Sequence, residues 1–362
     1  MNPSKPSMHN RILWILLILT LITGCNRPAS TPAVDLLATL QASTPSNFTP
    51  QPTQPVAATP NFNFPTAIPA ATSVSGGTSI PSPSSAELPP GHIVFTCQMF
   101  KVQAAEQICI MNADGSGFRR LTTEDNIRHY YPSLSPDGQS VLYSAFSDDN
   151  NFEIYELNLN SGDVNRLTSS FGVDNAPELS PDGGLITYIH SAPNRDLLRI
   201  MVMDRNGGNA ENIPQVEGWD PTWSPDGQSI LFASDRNGTT QLYTVRADGS
   251  KLTRITNLPA IRGRSDWSPD GHYIVTYSGD AWQREVYIMD SGGSNLRQLT
   301  PSGGNSQGPS FSPDGRWVAF TAYFDHFGDE HGCEIYIIRV DGTDLRRLTN
   351  NDYCDYQPRW GP

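Results

Sequence analysis

The tetrapeptide Ser-Pro-Asp-Gly occurs five times, at residues 135–138, 180–183, 224–227, 268–271 and 312–315, at a spacing of 44 or 45 residues. A fixed period of this length marks a repeat fold, in which each copy is one supersecondary unit unable to bury its own faces. The copies share more than the tetrapeptide. A bulky residue precedes each one (Leu134, Leu179, Trp223, Trp267, Phe311), and an apolar run follows, such as Ser-Ile-Leu-Phe at 229–232 or Trp-Val-Ala-Phe at 317–320. A second run comes next, for example Glu-Ile-Tyr-Ile-Ile at 334–338, then a turn such as Asp248-Gly249 or Asp341-Gly342. Units close on Arg-Leu-Thr at 166–168 and 347–349, or on Arg-Ile-Thr at 254–256.

Pro-Asp-Gly and Asp-Gly supply tight turns, because Asp hydrogen-bonds its own backbone and Gly accepts positive φ. The runs between them are short and rich in Val, Ile, Tyr, Phe and Trp, which favours strands. Each period therefore reads as a four-stranded antiparallel meander, and no helical periodicity of useful length interrupts it. One meander leaves both faces open, whereas copies set around an axis bury them against their neighbours. The ends decide the blade count. Residues 357–362 repeat the innermost strand and stop, while residues 90–95 match a second strand with no first strand before it. A third strand at 107–111 and the turn Asp114-Gly115 follow. Joined, the two ends make one blade. The expectation is an all-β, six-bladed propeller of four-stranded antiparallel blades over residues 91–362. Pairing the C-terminal strand with the N-terminal blade closes it and removes free sheet edges.

The succession of bulky residue, Ser-Pro-Asp-Gly, Ile-Tyr, Asp-Gly and Arg-Leu-Thr resembles the TolB-type, WD40-like (PD40) propeller repeat over essentially all of 91–362. The family's namesake carries an α/β domain before its propeller and works with the Tol–Pal envelope system. A different segment stands in that place here, so the resemblance implies the propeller alone.

That preceding segment opens with Lys5 and Arg11, followed by a run from 12 to 22 that is apolar except for Thr20. Eleven residues fall short of the about 20 needed to span a bilayer core. A basic start, a short apolar stretch and small residues after it read as a secretory signal over residues 1–24. The run ends Ile22-Thr23-Gly24-Cys25, which resembles a bacterial lipobox and makes Cys25 the expected lipid attachment site. Acylation there would supply the two or more lipid signals that stable anchoring needs. Residues 25–90 are dense in Pro, Thr, Ser and Ala and nearly uncharged, a composition that reads as a disordered tether. A flexible chain of that length averages about 45 Å end to end, and a stiff one reaches about 200 Å. Phe48, Phe62 and Phe64 read as scattered linker aromatics. The expected location is extracytoplasmic, anchored to a bacterial membrane at the cell surface or in the periplasm.

Four cysteines follow Cys25: Cys97, Cys109, Cys333 and Cys354. An even number in an exported domain favours disulfides, with three connectivities open and metal binding as the rival. In the blade scheme Cys97 and Cys109 lie on adjacent strands. Cys333 and Cys354 lie on connections that emerge on one face. The expected bonds are Cys97–Cys109 and Cys333–Cys354, beside the ring closure.

The formal charge of −13 argues against nucleic acid, since phosphate binding needs a basic stripe. The near-uniform turns lie on one face and the variable connections on the other, which makes the second face the expected binding surface. The longest connection, 323–332, holds Asp325, His326, Asp329, Glu330 and His331; Asp235 and Asp280 lie on others of the same type. Asp325, His326, Asp329 and His331 are metal-binding residue types, but without partners from neighbouring loops they read as a solvated acidic loop. Gly304-Asn305-Ser306-Gln307-Gly308 matches the hydrolase signature Gly-x-Ser-x-Gly. That motif needs a strand-to-helix elbow, and here it falls in a loop between blades. No phosphate loop, dinucleotide fingerprint or His-Glu-x-x-His zinc motif is present. The preferred reading is a monomeric, non-catalytic recognition or scaffold module, without cofactor, that binds an envelope protein, peptide or glycan. The alternative is a metal- or cofactor-dependent lyase or hydrolase at the channel mouth, with His190, Glu178, Asp220 and Asp266 as candidate lining.

Overall fold

The computed structural model describes residues 88–99, 106–124, 126–146, 151–193, 197–258, 261–324 and 332–362. Residues 88–362 form one compact unit of six four-stranded antiparallel sheets, and no helix occurs among the described residues. Blade one comprises β1 (His92–Gln98), β2 (Glu106–Asn112), β3 (Arg119–Arg120) and the last strand, β24 (Asp355–Gly361), in the order β24-β1-β2-β3. Blade two comprises β4 (His129–Leu134), β5 (Ser140–Phe146), β6 (Phe152–Asn158) and β7 (Val164–Arg166). Blade three comprises β8 (Val173–Leu179), β9 (Leu185–Ser191), β10 (Leu198–Asp204) and β11 (Glu211–Glu217). Blade four comprises β12 (Trp219–Trp223), β13 (Ile230–Ser234), β14 (Gln241–Val245) and β15 (Thr253–Arg254). Blade five comprises β16 (Asp266–Trp267), β17 (Tyr273–Ser278), β18 (Glu285–Asp290) and β19 (Arg297–Gln298). Blade six comprises β20 (Gln307–Phe311), β21 (Trp317–Ala322), β22 (Glu334–Arg339) and β23 (Arg346–Arg347). The expected count and closure both hold.

Side chains alternate across a strand, so each central strand supplies two interfaces. Along β1, Ile93, Phe95 and Cys97 pack towards blade six with Trp317, Ile335 and Ile337, while Val94 packs towards blade two with Val141 and Tyr143. One apolar cluster of this kind lies between each neighbouring pair of blades. The core is thus six slabs around an axis.

The repeated motifs are internal fastenings. In every Ser-Pro-Asp-Gly turn the Ser hydroxyl donates to the Asp carboxylate at 2.5–2.6 Å and accepts the backbone N–H five residues on at 2.9 Å. The Ser hydroxyl holds Asp137, Asp182, Asp226 and Asp270 below the usual carboxylate range. The glycine sits at φ 68–72°, which a Cβ would disfavour. In the closing motif of five blades the Thr hydroxyl (Thr122, Thr168, Thr256, Thr300, Thr349) accepts an N–H of the third strand. It donates to a Gln or Glu at the first or second position of that strand, at 2.5–2.8 Å. This latch joins an outer strand of only two or three residues to its sheet.

Both disulfides form as expected. Cys97 and Cys109 bridge β1 and β2 diagonally, since Cys97 faces Gln107 and Cys109 faces Phe95. Cys333, just before β22, joins Cys354, just before β24, and so ties blade six to the closing strand.

Two buried titratable groups give the fold opposing pH slopes. Burial pushes the His129 imidazole down to about 4, although the Glu106 carbonyl at 3.3 Å and the Glu124 carboxylate pull it up. As pH falls from about 6.5 to 4 the unfolded chain takes up a proton that the folded chain refuses, so stability is lost over that window. Burial, with the Glu334 carboxylate, raises Asp355 to about 7. There the folded chain keeps a proton between about pH 4 and 7 that the unfolded chain has released, so stability falls as pH rises. His129→Gln is expected to flatten the acid limb of a plot of urea midpoint against pH, and Asp355→Asn the limb towards neutral pH. Unchanged profiles would contradict this assignment.

Candidate functional site

In five of the innermost strands the register breaks and a left-handed residue stands at the break; in blade five the equivalent left-handed residue, Arg264, lies two residues before its short innermost strand. The six are Gln357 (φ 56°), Tyr131 (53°), Ala176 (52°), Asp220 (51°), Arg264 (27°) and Gly308 (58°), one per blade. Outside glycine this conformation is uncommon and costs on the order of 1–3 kcal/mol. Proline follows in five of the six (Pro132, Pro177, Pro221, Pro309, Pro358), where a bulge leaves no ladder partner for an N–H. Blade five has Ser265 instead, and its innermost strand is the two-residue β16.

Of these left-handed residues, Tyr131, Asp220 and Arg264 line one cavity with Glu178 and Arg359. The next register position but one reads Ser133, Glu178, Thr222, Asp266, Ser310, Arg359 around the ring, so hydroxyls alternate with charges. Each acid reaches the next blade. Glu178 accepts the Thr222 hydroxyl at 2.5 Å and the Trp223 N–H at 3.1 Å; Asp266 accepts the Ser310 hydroxyl at 2.9 Å and the Phe311 N–H at 2.8 Å. Arg359 of the closing strand completes the set, pairing with Glu178 at 2.7 Å and Asp266 at 3.3 Å. Arg264 donates to the Pro132 and Gln357 carbonyls, both at 3.3 Å, and lies 5.4 Å from the Tyr131 ring. Its own N–H binds Asp220 at 2.9 Å.

Burial raises the pKa of Glu178, Arg359 pulls it back, and Asp266 adds to the rise. Burial also raises Asp220. Burial lowers Arg264 to about 10, assisted by the like charge of Arg359. On Arg359 burial again opposes the charge, yet Glu178, Asp266 and Asp220 together outweigh it and hold its pKa up. The cavity left among these groups is about 10 Å³, room for one water. The Arg359 guanidinium at the waist is thus engaged by two protein carboxylates.

A family model for the TolB β-propeller domain, PD40, matches residues 94–327. The chain belongs to the TolB β-propeller family. Dipeptidyl-peptidase 5 of Porphyromonas gingivalis is 30% identical over 138 residues, 34% of this chain and 20% of that protein. The Tol-Pal system protein TolB of Francisella tularensis subsp. tularensis is 31% identical over 113 residues, 31% of this chain and 26% of that protein. The match thus spans well under half the length of either relative. The crystal structure of TolB from Acinetobacter baumannii superposes with a TM-score of 0.66 at 24% identity, over 75% of this chain and 67% of that one, and shares the fold.

On this TolB-type propeller the connections between outer and next innermost strands, and between second and third strands, emerge opposite the Ser-Pro-Asp-Gly turns. Glu178, Asp220 and Asp266 line or border the waist, as the sequence suggested. His190 does not. It lies in β9 at 2.7 Å from Asp174, because its strand is second from the axis. Among the described residues no three His, Cys, Asp or Glu side chains stand together as a metal-ligand group. Asp235 is exposed, and Asp280 is 83% exposed and 3.4 Å from Arg262. Asp325, His326, Asp329, Glu330 and His331 lie outside the described residues, as does Cys25. Ser306 of the Gly-x-Ser-x-Gly match is fully buried, at the entrance to β20 rather than on an elbow.

Sequence reasoning passed over Arg264, Arg359 and Phe171. Phe171 precedes β8 on the connection side and is 86% exposed. The proline three residues before four of the five Ser-Pro-Asp-Gly copies would have flagged the axial ring. Phe171 has no repeat cognate to flag it.

Proposed function

We propose that this chain is a lipid-anchored, extracytoplasmic recognition module that binds a protein, peptide or glycan of the envelope through its connection-bearing face, without catalysis. The signal would occupy residues 1–24, the acylated Cys25 and tether 25–90, and the propeller 91–362. The observation that carries this reading is the waist. Its carboxylates are spent on Arg359 and on neighbouring blades, and the cavity among them admits about one water. The opposite resource is free, because Phe171 offers an exposed aromatic of the kind that anchors interfaces. Disulfides accord with an oxidising compartment. The name Tol-Pal system protein, borne by one relative, accords with an envelope role.

Where the propeller begins, Pro90 accepts the Trp360 indole N–H at 2.8 Å, and Gly91 lies against Gly361 and Pro313 of a Ser-Pro-Asp-Gly turn.

The test is affinity capture from detergent-solubilised envelopes with the full chain. Phe171→Ala is expected to weaken capture of the partner at least about tenfold, while Leu252→Ala on the turn side leaves it intact. Cys25→Ser is expected to abolish acyl labelling and membrane retention. Equal capture by both surface variants, or membrane retention of Cys25→Ser, would contradict the reading.

A further inference from the structure

Blade three departs from the other five at its outer edge. Arg199 stands where the others carry Glu or Gln, and Asn212-Ile213-Pro214 replaces Arg-Leu-Thr. With no Thr hydroxyl to draw it in, β11 bulges. Arg199 faces Glu217 and Met201 faces Asn212, so five steps along β11 span two along β10. The bulge borders a groove of about 270 Å³ on the turn side, shared with the Ala247-Asp248 turn of blade four. Leu185, Val202 and Ile213 form an apolar floor, and Asp204, Glu211 and Asp248 supply the charges. The lining contains no Lys or Arg. Arg246 acts on Asp248 only from outside it, and Asp204 also accepts the Asn209 amide at 2.7 Å.

The volume lies below the roughly 300 Å³ at which pockets for drug-sized ligands begin, and suits a single side chain. An apolar floor with carboxylates above it complements a long aliphatic stem that ends in a cation. We infer that this groove seats one lysine or arginine side chain of a partner polypeptide, its stem on Leu185, Val202 and Ile213 and its charge among Asp204, Glu211 and Asp248. The site is separate from the connection-bearing face and does not depend on the function proposed for that face.

The probe is the peptide acetyl-Gly-Leu-Lys-Leu-Gly-amide, coupled to the full chain by zero-length carbodiimide and mapped by mass spectrometry. Adducts are expected at Asp204, Glu211 and Asp248, at least tenfold above the exposed turn carboxylates Asp182 and Asp270. In fluorescence anisotropy the norleucine analogue is expected to bind at least tenfold more weakly, and about 1 M salt removes the difference. Glu211→Gln, at an exposed position, is expected to weaken the lysine peptide several-fold with no change in thermal midpoint. Adducts spread over all turn acids, equal binding of both peptides, or cross-links joining two copies through Lys251 would each overturn the assignment.

Discussion

Arg359→Met is expected to cost about 3–5 kcal/mol of unfolding free energy, the range for breaking a buried ion pair by removing one partner. Arg359 is 8% exposed and is the ion-pair partner of both Glu178 and Asp266. Methionine keeps much of the stem, so the loss isolates the charge. Two carboxylates would then remain at the axis facing each other, with burial already working against Glu178. The check is a urea titration of the variant beside Arg359→Met/Glu178→Gln/Asp266→Asn. The triple variant is expected to recover most of the loss, because an apolar or neutral set of similar shape replaces a buried ionic one with little penalty. Failure to recover would mean that Arg359 acts through packing alone.

Replacing Cys333 and Cys354 by alanine is the second large effect. The bond closes a separation of 21 residues, and a loop of this size is worth about 3 kcal/mol in the chain-entropy account. The Cys97–Cys109 bond, with a separation of 12, is expected to contribute less. Position adds to the difference. Cys97–Cys109 joins strands already paired along seven positions, whereas Cys333–Cys354 ties blade six to β24, the strand that closes the ring. Urea midpoints of the two double-alanine variants, with and without reductant, should therefore rank Cys333/Cys354 as the more damaging pair. The reverse ranking would show that ring closure does not rest on this bond.

Much of this was legible beforehand, for reasons that can be named. The Asp and Gly of each turn act on their own backbone, so Ser-Pro-Asp-Gly reports its local structure without help from the rest of the chain. The terminal halves of blade one were recognisable because each kept its strand pattern. The disulfide pairing followed once the strands were placed. The axial ring was harder. Glu178, Asp220 and Asp266 could be suspected as carboxylates close to a repeated motif, but Arg359 and Arg264 could not be assigned to them. Arg359 lies 181 residues from Glu178. His190 was misplaced although it follows the Ser-Pro-Asp-Gly of residues 180–183, which puts it on the second strand of its blade, one step out from the axis.

The repeat by itself determined the period, the four-stranded unit, the six blades and the seam at the chain ends, because these follow from turn chemistry and alternation within about 45 residues. Tertiary structure alone decided what the axis contains. Six left-handed residues, one per blade, become a ring only when the blades close, and closure then sets Arg359 between two acids from other blades. The groove of blade three has the same origin. Losing Arg-Leu-Thr is a local change, but the space it leaves takes shape only against the turn of blade four.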